Sequence, residues 1–256
     1  MPVCIKISTP SFDTVSMKYE LETIPIWDAY KTNPLCPLCV LEKKAEGSYV
    51  KFFLGSSVMN PETRIQVNDT GFCKKHLTML HDSGENRHGL GLLAKTHLHE
   101  LLNQIKIKIP GSLLNGNKAK KNDIRTFCTY LKKKENSCMI CDRLAQTLKR
   151  YTFTIVYLWQ KDREFASAFK KSRGVCLHHA VPLMEMAEEA LSPKESAQFT
   201  AILWESVLRE LEALEDEVYQ YTQHYDYRFT DKPWGKEKDA LQRAIQILSG
   251  AYYENP

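Results

Sequence analysis

Cysteine and histidine recur in this chain at the spacing of metal ligands. The sequence contains Cys36-Pro-Leu-Cys39 and, after a gap, Cys73-Lys-Lys-His76. The same pattern returns as Cys138-Met-Ile-Cys141 and Cys176-Leu-His-His179, with a gap of nearly the same length. Cys-x-x-Cys holds two sulfurs on one tight turn, and Cys-x-x-His on a helix places both side chains on one face. Each pair is therefore half of a site for one metal ion, and the repetition indicates an internal duplication.

Joining each Cys-x-x-Cys to the Cys-x-x-His that follows it predicts two tetrahedral Cys3His sites. The predicted ligands are Cys36, Cys39, Cys73 and His76 in the first site, and Cys138, Cys141, Cys176 and His179 in the second. His178 lies one residue out of the register of the repeat and is expected to point elsewhere. Four soft ligands close the coordination of zinc, whereas a catalytic zinc site keeps one position open. We therefore expect two structural zinc ions as cofactors.

Iron–sulfur clusters are the alternative for such cysteine-rich ligation. They are normally held by four cysteines, so one histidine in each set favours zinc. A thioredoxin-like use of Cys-x-x-Cys would need a βαβ context, and the sequence pattern around these motifs is helical. An iron–sulfur or thiol redox sensor stays open as an alternative function.

Helices are predicted to carry all four half-sites. One helix runs from Cys36 to about Phe53 with an apolar face, and a polar loop from Gly55 leads to a helix at Cys73. The second copy repeats this with a helix from Cys138, a polar turn after Gln160, and a helix at Cys176. Further along, Ser192-Pro-Lys-Glu195 is a capping box that opens a long helix. Strand patterns are scarce, so the predicted fold is all-α: two pseudo-repeated helical units, each clipped by a metal site, with a long and a short helix at the C-terminal end.

Four segments follow from this organisation. Residues 1–17 lack a clear period and are expected to form a flexible leader. Residues 18–109 are predicted as the first metal-clipped repeat. Residues 110–122 are rich in Gly, Pro and Lys and read as a linker. Residues 123–256 are predicted as the second repeat with the C-terminal helices.

Composition limits the class of protein. The 256-residue chain has a net charge of +4, which is small for a nucleic-acid binder and argues against that partner. No stretch reaches the roughly 18 apolar residues of a membrane span, and the N-terminus lacks the features of a secretory signal. We expect a cytoplasmic protein, where reduced thiols serve metals before disulfides. The remaining cysteines, Cys4 and Cys128, are expected to be bystanders, with Cys128 buried beside Phe127.

A second candidate site lies near the C-terminus. The stretch from Asp226 to Gly235 is aromatic, charged and turn-forming. Asp226, Arg228 and Trp234 could line a pocket for an anionic or planar ligand. The favoured interpretation is a segment that wraps onto the body of the protein, with Trp234 as a plug and Arg228 in a salt bridge. No established nucleotide-binding or hydrolase motif occurs, which favours a protein that is not an enzyme.

The motifs together resemble a known family. The residues that carry the resemblance are Ile24-Pro25, the two Cys-x-x-Cys motifs, the boxes Gly71-Phe-Cys73-x-x-His76 and Gly174-Val-Cys176-x-x-His179, and Asp226-Tyr-Arg228 with Pro233-Trp-Gly235. They resemble a domain-of-unknown-function family of largely anaerobic, Gram-positive bacteria. The resemblance covers the chain from about residue 18 to the C-terminus. It implies that the cysteine boxes and the C-terminal stretch belong to one module, and it implies no activity, substrate or catalytic residue.

The sequence favours a zinc-binding scaffold or interaction protein that binds a protein partner through a helical groove, and it sets no oligomeric state. The alternative from another class is an enzyme or small-molecule-binding protein that uses the residues near Arg228 and Trp234.

Overall fold

A computed structural model of the protein describes residues 21–114, 120–228 and 233–251. Within these ranges every regular element is helical and no strand occurs, which confirms the all-α prediction. The α-helices in chain order are α1 (Thr23–Lys31), α2 (Pro37–Leu54), α3 (Pro61–Thr70), α4 (Lys74–Asp82), α5 (Arg87–Lys108), α6 (Gly111–Leu114), α7 (Lys121–Glu135), α8 (Met139–Lys161), α9 (Arg163–Lys171), α10 (Leu177–Ala190), α11 (Pro193–Gln223) and α12 (Ala240–Ser249). Short 3-10 helices span Ser56–Met59 and Lys236–Asp239.

The chain divides into two compact units. The terminal unit combines Met1–Lys43 with Thr147–Pro256, and the central unit is Lys44–Gln146. Both boundaries fall inside helices, one in α2 and one in α8. These units differ from the successive repeats expected at 18–109 and 123–256, because the terminal unit takes chain from both ends of the sequence. The leader expected at 1–17 and residues 115–119 of the expected linker lie outside the described residues.

Two helices replace segments that were expected to be irregular. The polar loop before Cys73 contains α3, which begins with Asn60 as N-cap: its side chain accepts a hydrogen bond from the amide of Thr63 at 3.1 Å. The polar turn before Cys176 contains α9, where the side chain of Asp162 accepts hydrogen bonds from the first turn. In both places a short polar N-cap residue satisfies amides that have no partner within the helix. The composition of these segments was a poorer guide than their capping residues.

Aromatic packing forms the core of the terminal unit. Phe165 of α9 makes edge contacts with Trp27 and Tyr30 of α1, at ring-centroid distances of 5.2 and 5.0 Å. Phe169 of α9 stacks on Phe199 of α11 at 5.0 Å. Burying such rings contributes on the order of 2–3 kcal/mol each. This packing joins the helix that precedes the first Cys-x-x-Cys to the helix that precedes the last Cys-x-x-His.

The capping box at Ser192 is present as predicted. The amide of Glu195 donates to the Ser192 hydroxyl, and the Glu195 carboxylate accepts from the Ser192 amide at 3.2 Å. From this start α11 continues for 31 residues. The residues it buries include Phe199, Leu203 and Val207, which lie four residues apart on one face of the helix.

A smaller cluster of buried side chains forms the core of the central unit. Its fully buried members include Phe53 from α2, Leu80 from α4, Leu93 from α5 and Ile140 from α8. Phe53 lies near the end of α2 and makes an edge contact with Phe72, at a centroid distance of 5.0 Å. Phe72 directly precedes Cys73, so the second half-site begins beside the end of α2.

None of the residues of helix α7 is buried. Cys128, which was expected to be a buried bystander, is exposed. Its neighbour Phe127 is half-buried, since the helix turns a different face toward the central unit at that position. Among the described residues, no helix has both the length and the apolar content that crossing a bilayer requires.

Candidate metal centres

All four half-sites are built on helix starts. Cys36 and Cys138 stand immediately before α2 and α8, so each Cys-x-x-Cys occupies a first helical turn. Cys73 and Cys176 are the N-cap residues of α4 and α10. The histidine of each Cys-x-x-His motif follows three residues later, on the same face of the helix. The positive end of a helix dipole favours negative charge, so these positions favour thiolates, the form that binds metal.

The terminal unit brings together Cys36, Cys39, Cys176 and His179. The three sulfurs lie 3.5, 3.4 and 3.2 Å from His179 Nδ1, and the sulfurs of Cys39 and Cys176 are 3.6 Å apart. All four side chains are buried. We call this group the terminal cluster.

The central unit brings together Cys73, His76, Cys138 and Cys141. The sulfurs lie 3.3, 3.2 and 3.4 Å from His76 Nδ1, and those of Cys73 and Cys141 are 3.8 Å apart. His76 and Cys138 are buried, whereas Cys141 is exposed. This group, the central cluster, thus has a solvent-accessible side that the terminal cluster lacks.

These distances are those of a tetrahedron around one ion. Zinc–sulfur bonds of about 2.3 Å and zinc–nitrogen bonds of about 2.0 Å place tetrahedral ligands about 3.8 Å apart for two sulfurs and about 3.5 Å for sulfur and nitrogen. The observed separations match both values within a few tenths of an ångström. Two Cys3His clusters are therefore present, and each could hold a metal ion.

The sequential pairing of half-sites was wrong, although the two clusters are formed by the same eight residues that were predicted. Cys36 and Cys39 lie with Cys176 and His179 in place of Cys73 and His76, and the inner two half-sites form the other cluster. Spacing identifies a half-site because its two ligands share one turn of chain. All four half-sites look alike in this respect, so near-equal gaps carried no information on which of them meet.

Packing just upstream of the cysteines explains the pairing in the terminal unit. Helix α1 ends shortly before Cys36, and α9 ends shortly before Cys176. The contacts of Tyr30 in α1 with Phe165 and Phe169 in α9 hold these two helices together. The segments that follow α1 and α9 therefore lie close together, and their two half-sites form one cluster.

In the central unit, two hydrogen bonds to backbone carbonyls bring the half-sites together. The amide of Met139 donates to the carbonyl of Gly71 at 3.0 Å, and the hydroxyl of Ser137 donates to the carbonyl of Thr70 at 2.6 Å. Gly71 has a φ of 74°, and a Cβ atom at this position would lie 2.7 Å from His97 Nε2. Glycine is required there on both grounds. The turn it permits places Cys73 beside Cys138.

A carboxylate from α2 lies behind each histidine, and neither was singled out from the sequence. Glu46 Oε1 is 3.0 Å from His76 Nε2 in a hydrogen bond, and Lys75 Nζ lies 2.5 Å from the same oxygen. Glu42 Oε2 lies 3.2 Å from His179 Nε2. Since Nδ1 faces the sulfurs, Nε2 carries the proton and points to the carboxylate, as in histidines that ligate metals. The only signal in the sequence was two acids four residues apart on a helix, which is a common pattern.

Burial and hydrogen bonding shift the pKa values of three residues in and beside the central cluster. Burial disfavours the imidazolium form of His76, but hydrogen bonds to Cys138 and Glu46 outweigh burial and raise the pKa of His76 to about 10. Burial likewise opposes the thiolate of Cys138, yet the hydrogen bond with His76 prevails and lowers the pKa of Cys138 to about 6. The hydrogen bond from His76 lowers the pKa of Glu46 to about 2 despite its burial.

In the terminal cluster, the pKa of the histidine is likewise raised and that of one cysteine is likewise lowered. Burial again opposes a charged His179, but its hydrogen bonds with Cys176 and Cys39 raise the pKa of His179 to about 11. Hydrogen bonds with Cys36 and Cys39 lower the pKa of Cys176 far below that of a free thiol. In each cluster one thiol, Cys138 or Cys176, therefore favours the thiolate form beside a histidine that favours positive charge, whereas burial raises the pKa of Cys36 and that of Cys141. Metal binding requires thiolates, so an ion bound at either cluster would displace the remaining protons.

Replacing Glu46 with glutamine should weaken metal binding in the central cluster by about 10- to 100-fold, because loss of a carboxylate behind a ligating histidine typically has this effect. Glu42→Gln should have a similar effect on the terminal cluster. The measurement is competition with a graded series of zinc chelators, followed by mass spectrometry of the intact protein. Glu135→Gln, on the exposed end of α7, is the matched control. Unchanged affinity in both variants would show that these carboxylates do not contribute to metal binding.

The C-terminal candidates lie in two separate sets of contacts. Arg228 forms a salt bridge with Asp226, with Nη2 2.6 Å from Oδ2 and the arginine side chain exposed. Trp234 is about half exposed and stacks on His224 with ring centroids 3.9 Å apart. His224 Nε2 in turn lies 2.8 Å from Glu237 Oε1. These contacts resemble a segment that wraps onto α11; the ligand pocket near Arg228 and Trp234 stays a prediction.

Comparison with known proteins gives a family and no function. A protein-family model described as a family of unknown function (DUF6062) matches residues 17–255. Comparisons with the curated proteins and with the solved structures find no match.

Proposed function

Since this chain belongs to DUF6062, a family of unknown function, we propose its role from the sites alone: a zinc-binding, all-α interaction protein whose two metal ions are structural. The proposal has two parts, the nature of the ions and the kind of protein they stabilise. Each part has its own support.

The observation that carries the proposal is the closed ligand set of each cluster. Three sulfurs surround one imidazole nitrogen at tetrahedral distances, and together they supply four protein ligands. Four such ligands are typical of structural zinc, while catalytic zinc usually has three protein ligands and one bound water. A histidine in each set favours zinc over an iron–sulfur cluster, which normally takes four cysteines.

Zinc bound here would supply folding energy and a fixed join between distant parts of the chain. Binding to structural Cys/His sites is worth about 10–16 kcal/mol in isolated zinc fingers. The ligands do the positioning: each Cys-x-x-Cys turn presents two sulfurs, and each Cys-x-x-His helix start presents the other two ligands. Glu42 and Glu46 orient the imidazole rings. The terminal cluster joins the two separate stretches of chain that form its unit.

An apolar groove supports the interaction part of the proposal. It lies between α10 and α11 in the terminal unit, with a volume of about 770 Å³. Its lining includes Val181, Met184, Leu191 and Trp204. A groove between two helices is a common binding surface for an amphipathic helix of a partner.

Metal analysis tests the assignment directly. Protein purified without added metal should contain two zinc ions per chain by elemental mass spectrometry and should be colourless. A chelator should remove the ion of the central cluster first, because Cys141 is exposed whereas every ligand of the terminal cluster is buried. Cys128→Ser is the control and should keep both ions. Brown protein with iron and visible absorption would contradict zinc and support the iron–sulfur alternative.

A further inference from the structure

Two surfaces outside the metal clusters have complementary properties. One is the groove between α10 and α11 in the terminal unit. The other is the exposed face of α7 in the central unit. Neither surface has a role in metal binding, and each has the features of one side of a helix-in-groove contact.

The groove is apolar at its base and acidic at its edge. The indole nitrogen of Trp204 donates to the sulfur of Met184 at 3.2 Å, which fixes two of the largest lining side chains. Ala197 and Ala201 of α11 also line the groove, and such small side chains let another helix approach closely. Glu185 and Glu188 of α10 also line the groove, and both are exposed. The occupant expected from this surface is an amphipathic helix with basic residues beside its apolar stripe.

Helix α7 has that pattern. Ile124, Cys128 and Leu131 follow one another at the i, i+4, i+7 spacing of a single stripe, and all three are exposed. The helical repeat places Lys121, Arg125 and Lys132 along one edge of this stripe, and these too are exposed.

The opposite edge of α7 is held by its own unit, which leaves the stripe free for a partner. The hydroxyl of Tyr130 donates to the side chain of Gln104 at 3.1 Å, and Lys108 Nζ lies 5.0 Å from the centre of the Tyr130 ring. Lys134 Nζ is 3.7 Å from Asp69 Oδ1. A helix anchored in this way presents its exposed stripe without first having to fold, which reduces the entropy lost on binding.

We propose that α7 of one copy of this chain binds the α10–α11 groove of a second copy. The apolar stripe fills the groove, and the three basic residues lie against Glu185 and Glu188. Each copy carries one groove and one α7, so a pair that exchanges both contacts leaves neither surface without a partner. The inference rests on the proposed interaction function and names its partner as a second copy.

Charge reversal with rescue tests this contact. Sedimentation across micromolar concentrations should show wild-type dimers. Lys121→Glu with Arg125→Glu and Lys132→Glu should raise the dimer dissociation constant at least about tenfold, because like charges would then meet at the interface. Glu185→Lys with Glu188→Lys should do the same. An equimolar mixture of the two variants should recover dimers, since each altered surface then meets one of opposite charge.

Matched controls exclude a general effect of net charge. Lys51→Glu with Lys95→Glu and Lys106→Glu makes the same change at three other exposed lysines and should leave the dimer intact. For the groove variant, Glu212→Lys with Glu215→Lys on exposed positions of α11 serves the same purpose. Circular dichroism and zinc content establish that every variant is folded.

The outcomes separate this inference from the proposed function. A wild type that stays monomeric overturns the second copy as the occupant and leaves a basic helix of another protein as the partner of the groove. Folded, zinc-loaded variants whose mixture fails to recover dimers also overturn the contact. Protein without zinc overturns the proposed function instead, whatever its oligomeric state.

Discussion

Replacing Cys176 with serine should remove one of the two metal ions and expose Cys36 and Cys39, which lie far away in the sequence, to thiol reagents. Serine cannot supply a thiolate, so the terminal cluster is left with three ligands. Cys73, Cys138 and Cys141 belong to the other cluster and should stay protected. The cysteines that become reactive in this variant are therefore those that share a cluster with Cys176.

The effect on stability should be large. Structural zinc contributes about 10–16 kcal/mol in isolated fingers, and typical domains are stable by only about 5–15 kcal/mol. Loss of the terminal ion is therefore comparable to the whole stability of the unit that contains it. We expect the terminal unit of the Cys176→Ser variant to unfold at temperatures where the wild type is fully folded, as measured by differential scanning calorimetry.

Native alkylation followed by peptide mass spectrometry gives the decisive reading. A Cys128→Ser background removes an exposed thiol that belongs to neither cluster. Alkylation of Cys36 and Cys39 supports the pairing in the structure. Alkylation of Cys138 and Cys141, with Cys36 and Cys39 protected, would show that the ligands pair in sequence order.

The second large effect is expected from Cys73→Ser, which should remove the ion of the central cluster. Cys138 and Cys141 should then react with thiol reagents, while the terminal cluster keeps its ion. The central unit has the smaller set of buried side chains and so depends more on the metal. We expect its helices to lose their protection from hydrogen exchange, whereas α9 and α11 keep theirs.

His88→Gln is the control for this variant, because it alters a residue of the central unit outside both clusters. It should leave metal content and hydrogen exchange unchanged. A Cys73→Ser protein with two ions per chain and normal thermal stability would show that Cys73 is not a ligand.

Local features of the fold were predicted correctly where the start signal of a helix was used. The helix at Ser192 follows from a capping box whose hydrogen bonds join neighbouring residues. The helices α3 and α9 were missed, although Asn60 with Pro61 and Asp162 are helix-start signals of the same kind. The error came from reading polar composition as loop, since a short helix with one buried face has few apolar residues to reveal it.

Features that depend on exposure were harder to predict. Cys128 was expected to be buried because it follows Phe127 in an apolar pattern, yet the stripe that contains it faces away from the central unit. Glu42 and Glu46 look like ordinary surface acids of α2 in the sequence. Their place behind His179 and His76 depends on helices far along the chain.

The Cys-x-x-Cys and Cys-x-x-His motifs by themselves determined that this protein has four Cys/His half-sites that could ligate metal, because the two residues of a half-site are held together by one turn of chain. They also determined the number of clusters and the kind of ligand in each. Only the tertiary structure decided which half-sites meet. Tyr30 packs against α9 in one unit, and Gly71 accepts a hydrogen bond from Met139 in the other. Such contacts join residues that are distant in sequence, so the equal spacing of the motifs could not reveal them.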